Sequence, residues 1–242
     1  MPQQCSTPQT DRSEPARLKS EHLGGDVTTI LIVVAHPDDA EIAMGMRMHW
    51  YARNGAQVHV HCLTTGAPAP SGIQQRREEC LAAGSVLGID DHTFSSIPDT
   101  RFVEHRGAIH AALSDVFRDA RPDIVYTHYP EDQHLDHATT AAEVTAVALR
   151  ESANLRYFRS PYSIGFEPNF IFMGTPELLQ AKQKALHCFT SQHQLDMDVF
   201  QRLTEVSYRQ FVHHRVVARF PPEATCAELF HIARHIEFAD AH

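Results

Sequence analysis

Two short runs of this sequence combine residue types that handle metals and protons: Ala35-His36-Pro37-Asp38-Asp39 and His134-Leu135-Asp136-His137. Neutral imidazoles mixed with carboxylate oxygens suit Zn²⁺ better than Ca²⁺ or Mg²⁺, which prefer all-oxygen shells. Adjacent carboxylates on a tight turn point in different directions. One of Asp38 and Asp39 can therefore bind a metal while the other faces the bound water as a base, and a nearby helix N-terminus would stabilise their charge. Donor counting gives His36, one of the aspartates, and one of His134 and His137, leaving a fourth position for water as in a catalytic zinc site. The remaining carboxylate and imidazole become general base and general acid or oxyanion partner.

These runs must be brought together by the elements that carry them. Thr28 to Ala35 is a continuous β-branched run, which reads as a strand buried on both faces of a parallel sheet. Asp39 to Asn54 follows as a helix with Gly55 as its C-terminal cap. Gln57 to Thr65 reads as a second strand, Ile73 to Leu87 as a second helix and His92 to Ser95 as a short third strand. A helix over Val103 to Ala120 leads into the strand Asp123 to His128, and Ala138 to Glu151 is helical. This alternation predicts a single α/β domain, Rossmann-like and doubly wound, with a mostly parallel sheet and helices on both faces. Both chemical runs then follow the carboxyl ends of strands, where open α/β sheets bind ligands, and they share one edge of the sheet. Beyond Asn154, Ser160 to Phe166 and Asn169 to Met173 are strand-like, Pro176 to Leu186 is helical, and a final stretch ends in AELFHIARHIEF. That last part is expected to complete the sheet and wall a pocket.

Composition narrows the chemistry further. Acidic residues outnumber basic ones, 30 to 21, so the net charge of -9 argues against a nucleic-acid partner. Eighteen histidines make metal or proton-transfer chemistry the first thing to look for. The five cysteines are widely spaced with no CxxC pair, which suggests neither a disulfide framework nor a thiolate zinc site and fits a cytoplasmic protein. No apolar run reaches a membrane span, and residues 1–26, polar and lacking a signal's apolar stretch, read as a flexible tail before a domain over 27–242.

The sequence resembles the LmbE-like zinc deacetylases, also called the N-acetylglucosaminyl-phosphatidylinositol de-N-acetylase family. The resemblance rests on AHPDDAE at Ala35 to Glu41, RREECLAAGSVLG at Arg76 to Gly88 and PDIVYTHYPEDQHLDH at Pro122 to His137, with weaker echoes in FEPN, KALHCFTSQ and AELF. It implies that His36, Asp39 and His137 bind one Zn²⁺ per chain and that Asp38 is the general base. It also implies that His134 stabilises the oxyanion or protonates the leaving amine, that Asp136 orients an imidazole, and that Arg76 holds substrate hydroxyls or a carboxylate. The implied reaction is removal of an N-acetyl or other N-acyl group from a small amino-sugar conjugate or glycosidic natural-product intermediate. The partner is then a small N-acetylated amino sugar, with no membrane involved, and a homo-oligomer is implied. An amidase for larger thiol-sugar conjugates and an inactive metal- or sugar-binding homologue are the alternatives.

Departures from the family pattern fall at Met46, where a second glycine is usual, at Met173 in place of an aspartate, and at Phe189 in place of a histidine. All three are expected to bear on the pocket or the contacts behind it. Arg76 also admits a plainer reading as part of a solvated helix face, Arg76 to Glu79. His59 and His61 alternate along a strand without an acidic neighbour and read as ordinary histidines. His231 and His235 are one helical turn apart but lack a third ligand. His128 either lines the pocket or is simply packed. Met44, Met46 and Met48, spaced two apart, cannot form one helical stripe.

Overall fold

The computed structural model describes residues 28–66, 70–151, 153–211 and 223–236; the expected N-terminal tail lies outside them. Seven strands and six α-helices follow one another as β1 (Thr29–Val34), α1 (Asp39–Arg53), β2 (Gln57–Cys62), α2 (Pro70–Leu87), β3 (Asp91–Phe94), α3 (Arg106–Ala120), β4 (Ile124–His128), α4 (Leu135–Arg150), β5 (Asn154–Phe158), β6 (Phe170–Gly174), α5 (Pro176–Leu186), α6 (Met197–Phe211) and β7 (Cys226–Arg234). A 3₁₀ turn, Phe102–His105, precedes α3. The strands lie in the order β3-β2-β1-β4-β5-β7-β6. The first five are mutually parallel, and β7 runs antiparallel to both β5 and β6.

The two faces of β1 explain its unbroken apolar sequence. Ile30, Ile32 and Val34 pack into a core beneath α1, α2 and α5, while Leu31, Val33 and Ala35 pack into a second core under α3 and α4. A strand covered on both sides cannot alternate apolar with polar residues. The chain winds outward from β1 to β2 and β3 on one side and from β4 to β5 on the other. The order therefore reverses between β1 and β4, and their carboxyl ends frame the crevice.

Three expectations need correction. Ser160 to Phe166 is not a strand: its one pairing is an isolated bridge between Asp132 and Ser163, and the strand of this region is β5, just before it. The closing AELFHIAR stretch is the antiparallel β7, so His231 and His235 do not share a helical turn; His231 instead contacts the Glu167 carbonyl through Nδ1. The fourth helix begins three residues earlier than Ala138, which places Asp136 and His137 in its first turn and His134 at its N-cap.

Helix α1 is bent at Met44, whose φ of -144° and ψ of 24° are not helical. The bend frees the amides of Met46 and Arg47, and both donate to the carboxylate of Glu228 on β7, at 2.9 and 2.8 Å. Lys182 of α5 completes this group, its Nζ 2.8 Å from Glu228 Oε1, with both side chains only 1% exposed. Met44, Met46 and Met48 are all fully buried because α1 is covered on more than one side, by α5, α2 and the sheet, so they need not share one face. Replacing Glu228 with Ala leaves a buried ammonium and two amide donors without acceptors, and is expected to cost about 3–5 kcal/mol in urea unfolding. The double variant Lys182→Met/Glu228→Gln is expected to recover part of that loss.

Candidate metal centre

The turn after β1 is tied down from both sides. Ala35 N donates to His128 Nε2 at the end of β4 (3.1 Å), and His36 N donates to Asp39 Oδ2 (2.7 Å). Asp38 opens the helix with a left-handed backbone, φ 101°, a conformation that Asp and Asn tolerate better than most residues. Arg76 reaches over from α2, donating through Nη2 to the Pro37 carbonyl at 2.7 Å and lying 3.5 Å from Asp38 Oδ2. Arg76 is 7% exposed, so the solvated-face reading does not hold for it. It does not hold for Glu79 either, which accepts from Thr190 Oγ1, Ser191 N and Ser191 Oγ and so ties α2 to the TSQ segment.

Asp39 stands at the middle of the cluster. Its carboxylate lies 3.4 Å from His36 Nδ1, 3.3 Å from His137 Nε2 and 3.3 Å from His128 Nε2. His128, His137 and His134 form a stack, with ring centres 4.1 Å and 4.4 Å apart in succession, and His36 meets His134 edge-on at 5.0 Å. Burial works against the charge of Asp39, but His137 and His128 outweigh it and hold the carboxyl well below its usual range. Asp38, beside it, is pushed up to about 7 by burial and by the charge of Asp39, with Arg76 opposing. Two adjacent aspartates thus have opposite proton affinities, set by what each faces.

Carboxylates back the imidazoles. His36 Nε2 lies 3.0 Å from Asp99 and 3.5 Å from Asp136. Asp136 also accepts from the amides of Thr100 (2.7 Å) and Phe102 (3.2 Å), so it ties the 99–102 loop to the His36 ring beside it. His137 Nδ1 lies 3.4 Å from Asp132, which in turn accepts from Ser160, Ser163 and the amide of His134. Burial lowers the affinity of His137 for a proton, yet Asp39 and Asp132 raise it to about 9. His134 is shifted down by burial and by the neighbouring imidazoles.

The donor set fits a divalent ion of the zinc type. One donor atom from each of His36, His134 and His137 lies within 4.8 Å of the others, and the same is true of Asp39, His128 and His137. Nδ1 of His128 and His134 are buried without hydrogen-bond partners, and that of His137 faces only Asp132. His36, Asp38, Asp39, Arg76, His134 and His137 all line one cavity of about 330 Å³. A larger groove of about 680 Å³ lies toward the start of β1 and β2, where His59 and His61 bond Thr93 rather than converging on a ligand set.

The structure thus brings together every residue singled out for the site: His36, Asp38, Asp39, Arg76, His134, Asp136 and His137. It adds Asp99, in the loop before the 3₁₀ turn, and Asp132, which stands inside the PDIVYTHYPEDQHLDH run without a role implied for it. It also resolves His128, which is fully buried and lines the cavity. None of Met46, Met173 and Phe189 lines that cavity; Met46 packs instead against Gly174 and Cys226.

A Rossmann-like sheet with an imidazole–carboxylate cluster at its switch point defines the class of protein. Residues 31–148 match the family profile PIG-L, described as GlcNAc-PI de-N-acetylase, and the chain belongs to this PIG-L/LmbE-like deacetylase family. An uncharacterised deacetylase of Escherichia coli, YaiS, is 29% identical over 65% of this chain and 88% of its own. A 1D-myo-inositol 2-acetamido-2-deoxy-alpha-D-glucopyranoside deacetylase of Acidothermus cellulolyticus is 29% identical over 53% of this chain, which spans only 56% of that relative. Among solved structures, the N,N'-diacetylchitobiose deacetylase of Pyrococcus horikoshii superposes with a TM-score of 0.69 at 21% identity, covering 86% of this chain and 84% of that one. The 4-carboxy-2-hydroxymuconate hydratase GalB of Pseudomonas putida does so equally, at 0.69 and 20% identity over 88% and 100%. The fold therefore carries more than one reaction.

The strain at Asp38 is separable from its chemistry. Asp38→Ala and Asp38→Gly both remove the carboxylate, but only Ala keeps a Cβ at φ 101°. Chemical denaturation is expected to find the Ala variant about 1–2 kcal/mol less stable than the Gly variant.

Proposed function

We propose that this chain is a zinc-dependent deacetylase that hydrolyses the N-acetyl, or a related N-acyl, amide of a small amino-sugar conjugate or glycosidic natural-product intermediate. The observation that carries the reading is the paired aspartates: Asp39 lies between His36 and His137, while Asp38, its carboxyl raised to about 7, opens onto the same cavity. His36, Asp39 and His137 would hold the ion, with His128 buttressing Asp39 from below. A divalent ion held there supplies Lewis acidity, polarising an amide carbonyl and acidifying water.

The remaining steps belong to the chain itself. Asp38 accepts the proton of the attacking water, for which a carboxyl poised near neutral pH is suited. His134, at the cavity wall, donates a hydrogen bond to the carbonyl oxygen as negative charge gathers on it. The amide nitrogen takes a proton from Asp38 or His134 as the C–N bond breaks, so water, acyl carbon and nitrogen end as acetate and a free amine. Arg76 does two jobs in this reading: it fixes the Pro37–Asp38 turn, and it presents charge to substrate hydroxyls or a carboxylate. A cavity of about 330 Å³ suits one sugar ring with its amide. Tyr162, 49% exposed and also lining the cavity, offers a face to the conjugated group.

Several names support the substrate class. The Acidothermus relative is named for an acetamido sugar on inositol, and the Pyrococcus neighbour for a diacetylated disaccharide. The likeness to the hydratase GalB makes addition of water across a double bond the competing outcome.

Mass spectrometry of zinc-loaded protein with a panel of N-acyl amino sugars, and in parallel with unsaturated carboxylic acids, separates these. Deacetylation removes about 42 Da, whereas hydration of an unsaturated acid adds about 18 Da. Absence of any loss across the panel would sink the proposal. Asp38→Asn is expected to keep normal zinc content while turnover falls on the order of 10²–10⁴-fold. His137→Ala is expected to lower zinc content itself, measured by elemental analysis.

A further inference from the structure

We infer that Glu41, Cys80 and His92, with Cys62 beside them, form a second, structural site for a borderline-soft divalent transition-metal ion such as zinc, separate from the centre at His36, Asp39 and His137. Four elements meet there. Glu41 stands on α1, Cys62 ends β2, Cys80 lies on α2 and His92 on β3. One carboxylate oxygen of Glu41, the thiol of Cys80 and one ring nitrogen of His92 all lie within 4.8 Å of one another. The buried Cys62 thiol neighbours Cys80 but lies outside that three-donor group.

Burial makes this grouping demanding. Glu41 and Cys80 are each 1% exposed and Cys62 not at all, yet Oε1 of Glu41 and both ring nitrogens of His92 are buried with no hydrogen-bond partner. Each such polar atom costs about 1–3 kcal/mol unless something satisfies it. The neighbouring helix is shaped to admit the ring. A Cβ on Gly84 would stand 2.2 Å from His92 Cε1, so only glycine leaves room for the imidazole in this position.

The donors select the ion. A thiol, an imidazole and a carboxylate do not suit Ca²⁺ or Mg²⁺, and they do suit zinc and its neighbours. Closed, four-ligand burial is the habit of structural rather than catalytic zinc. Tetrahedral bonds of about 2.0–2.3 Å need donors roughly 3.5 Å apart, so Glu41, Cys80 and His92 would draw together and the Cys62 thiol would turn toward them as the fourth ligand. Binding would replace the thiol protons of Cys80 and Cys62, which pass to solvent, with no change of oxidation state. The ion would pin α1, two residues beyond Asp39, to α2 and β3.

Cobalt substitution tests this without reference to turnover. A sulfur-to-cobalt charge-transfer absorption in the near ultraviolet requires a thiolate ligand, which the His36, Asp39 and His137 set lacks. The full chain, produced with cobalt under reducing conditions, is expected to carry two equivalents and to exhibit the band. The double variant Cys62→Ala/Cys80→Ala is expected to lose the band and one equivalent while retaining the other, and its melting temperature should no longer rise with added metal at the second site. A wild-type chain saturated with cobalt but lacking the band overturns the inference, even if the double variant fails to fold. So does a band that persists in the double variant. A single band-free equivalent would remove this site and leave the first metal centre standing.

Discussion

A buried carboxylate needs partners, and Asp39 draws them from three separate stretches of chain: His36 from the turn after β1, His128 from the end of β4, and His137 from the first turn of α4. Everything else at the centre is arranged around that charge. It holds the imidazoles in place, and it raises the proton affinity of Asp38 next door. One charge, together with burial, therefore sets both the imidazole cluster and the raised proton affinity of Asp38. The geometry depends in turn on β1 and β4 being parallel neighbours at the point where strand order reverses, because only there do two carboxyl ends open into one crevice.

Helix α1 transmits this constraint through the molecule. It starts at Asp39, carries Glu41 into the interior between α2 and β3, and bends at Met44, where the freed amides are taken up by Glu228 of β7. The antiparallel end of the sheet thus supports the helix that begins at Asp39. Such dependence is expected where polar groups are buried together, since each is stable only while the others stay put.

The second row of carboxylates serves the same end. Asp132 joins His137 to Ser160 and Ser163 of the loop after β5, and Asp136 joins His36 to the loop before the 3₁₀ turn. Outer partners of this kind fix which way an imidazole faces, and a ligand set without them would be loosely held. The Met46, Met173 and Phe189 departures leave this framework untouched because none of them lines the cavity.

The sequence alone determined the architecture's beginning and the chemical candidates: a doubly wound sheet from the β-branched run at Thr28 to Ala35, and the residues of HPDD and HLDH at one edge of it. Short-range patterns carry that information, since strand burial and helix punctuation are local. Residues 154–236 were harder to read, because β7 pairs antiparallel at the far side of the sheet and its apolar run suits helix or strand alike. Only the tertiary structure decided that Asp132, Asp99 and His128 belong to the centre, that Arg76 turns inward, and that Cys62, Cys80, Glu41 and His92 meet. Asp132, His128, Arg76, Glu41 and Cys80 stand inside the motif runs and Asp99, Cys62 and His92 outside them, but their contacts arise only when parallel strands and their helices are packed side by side.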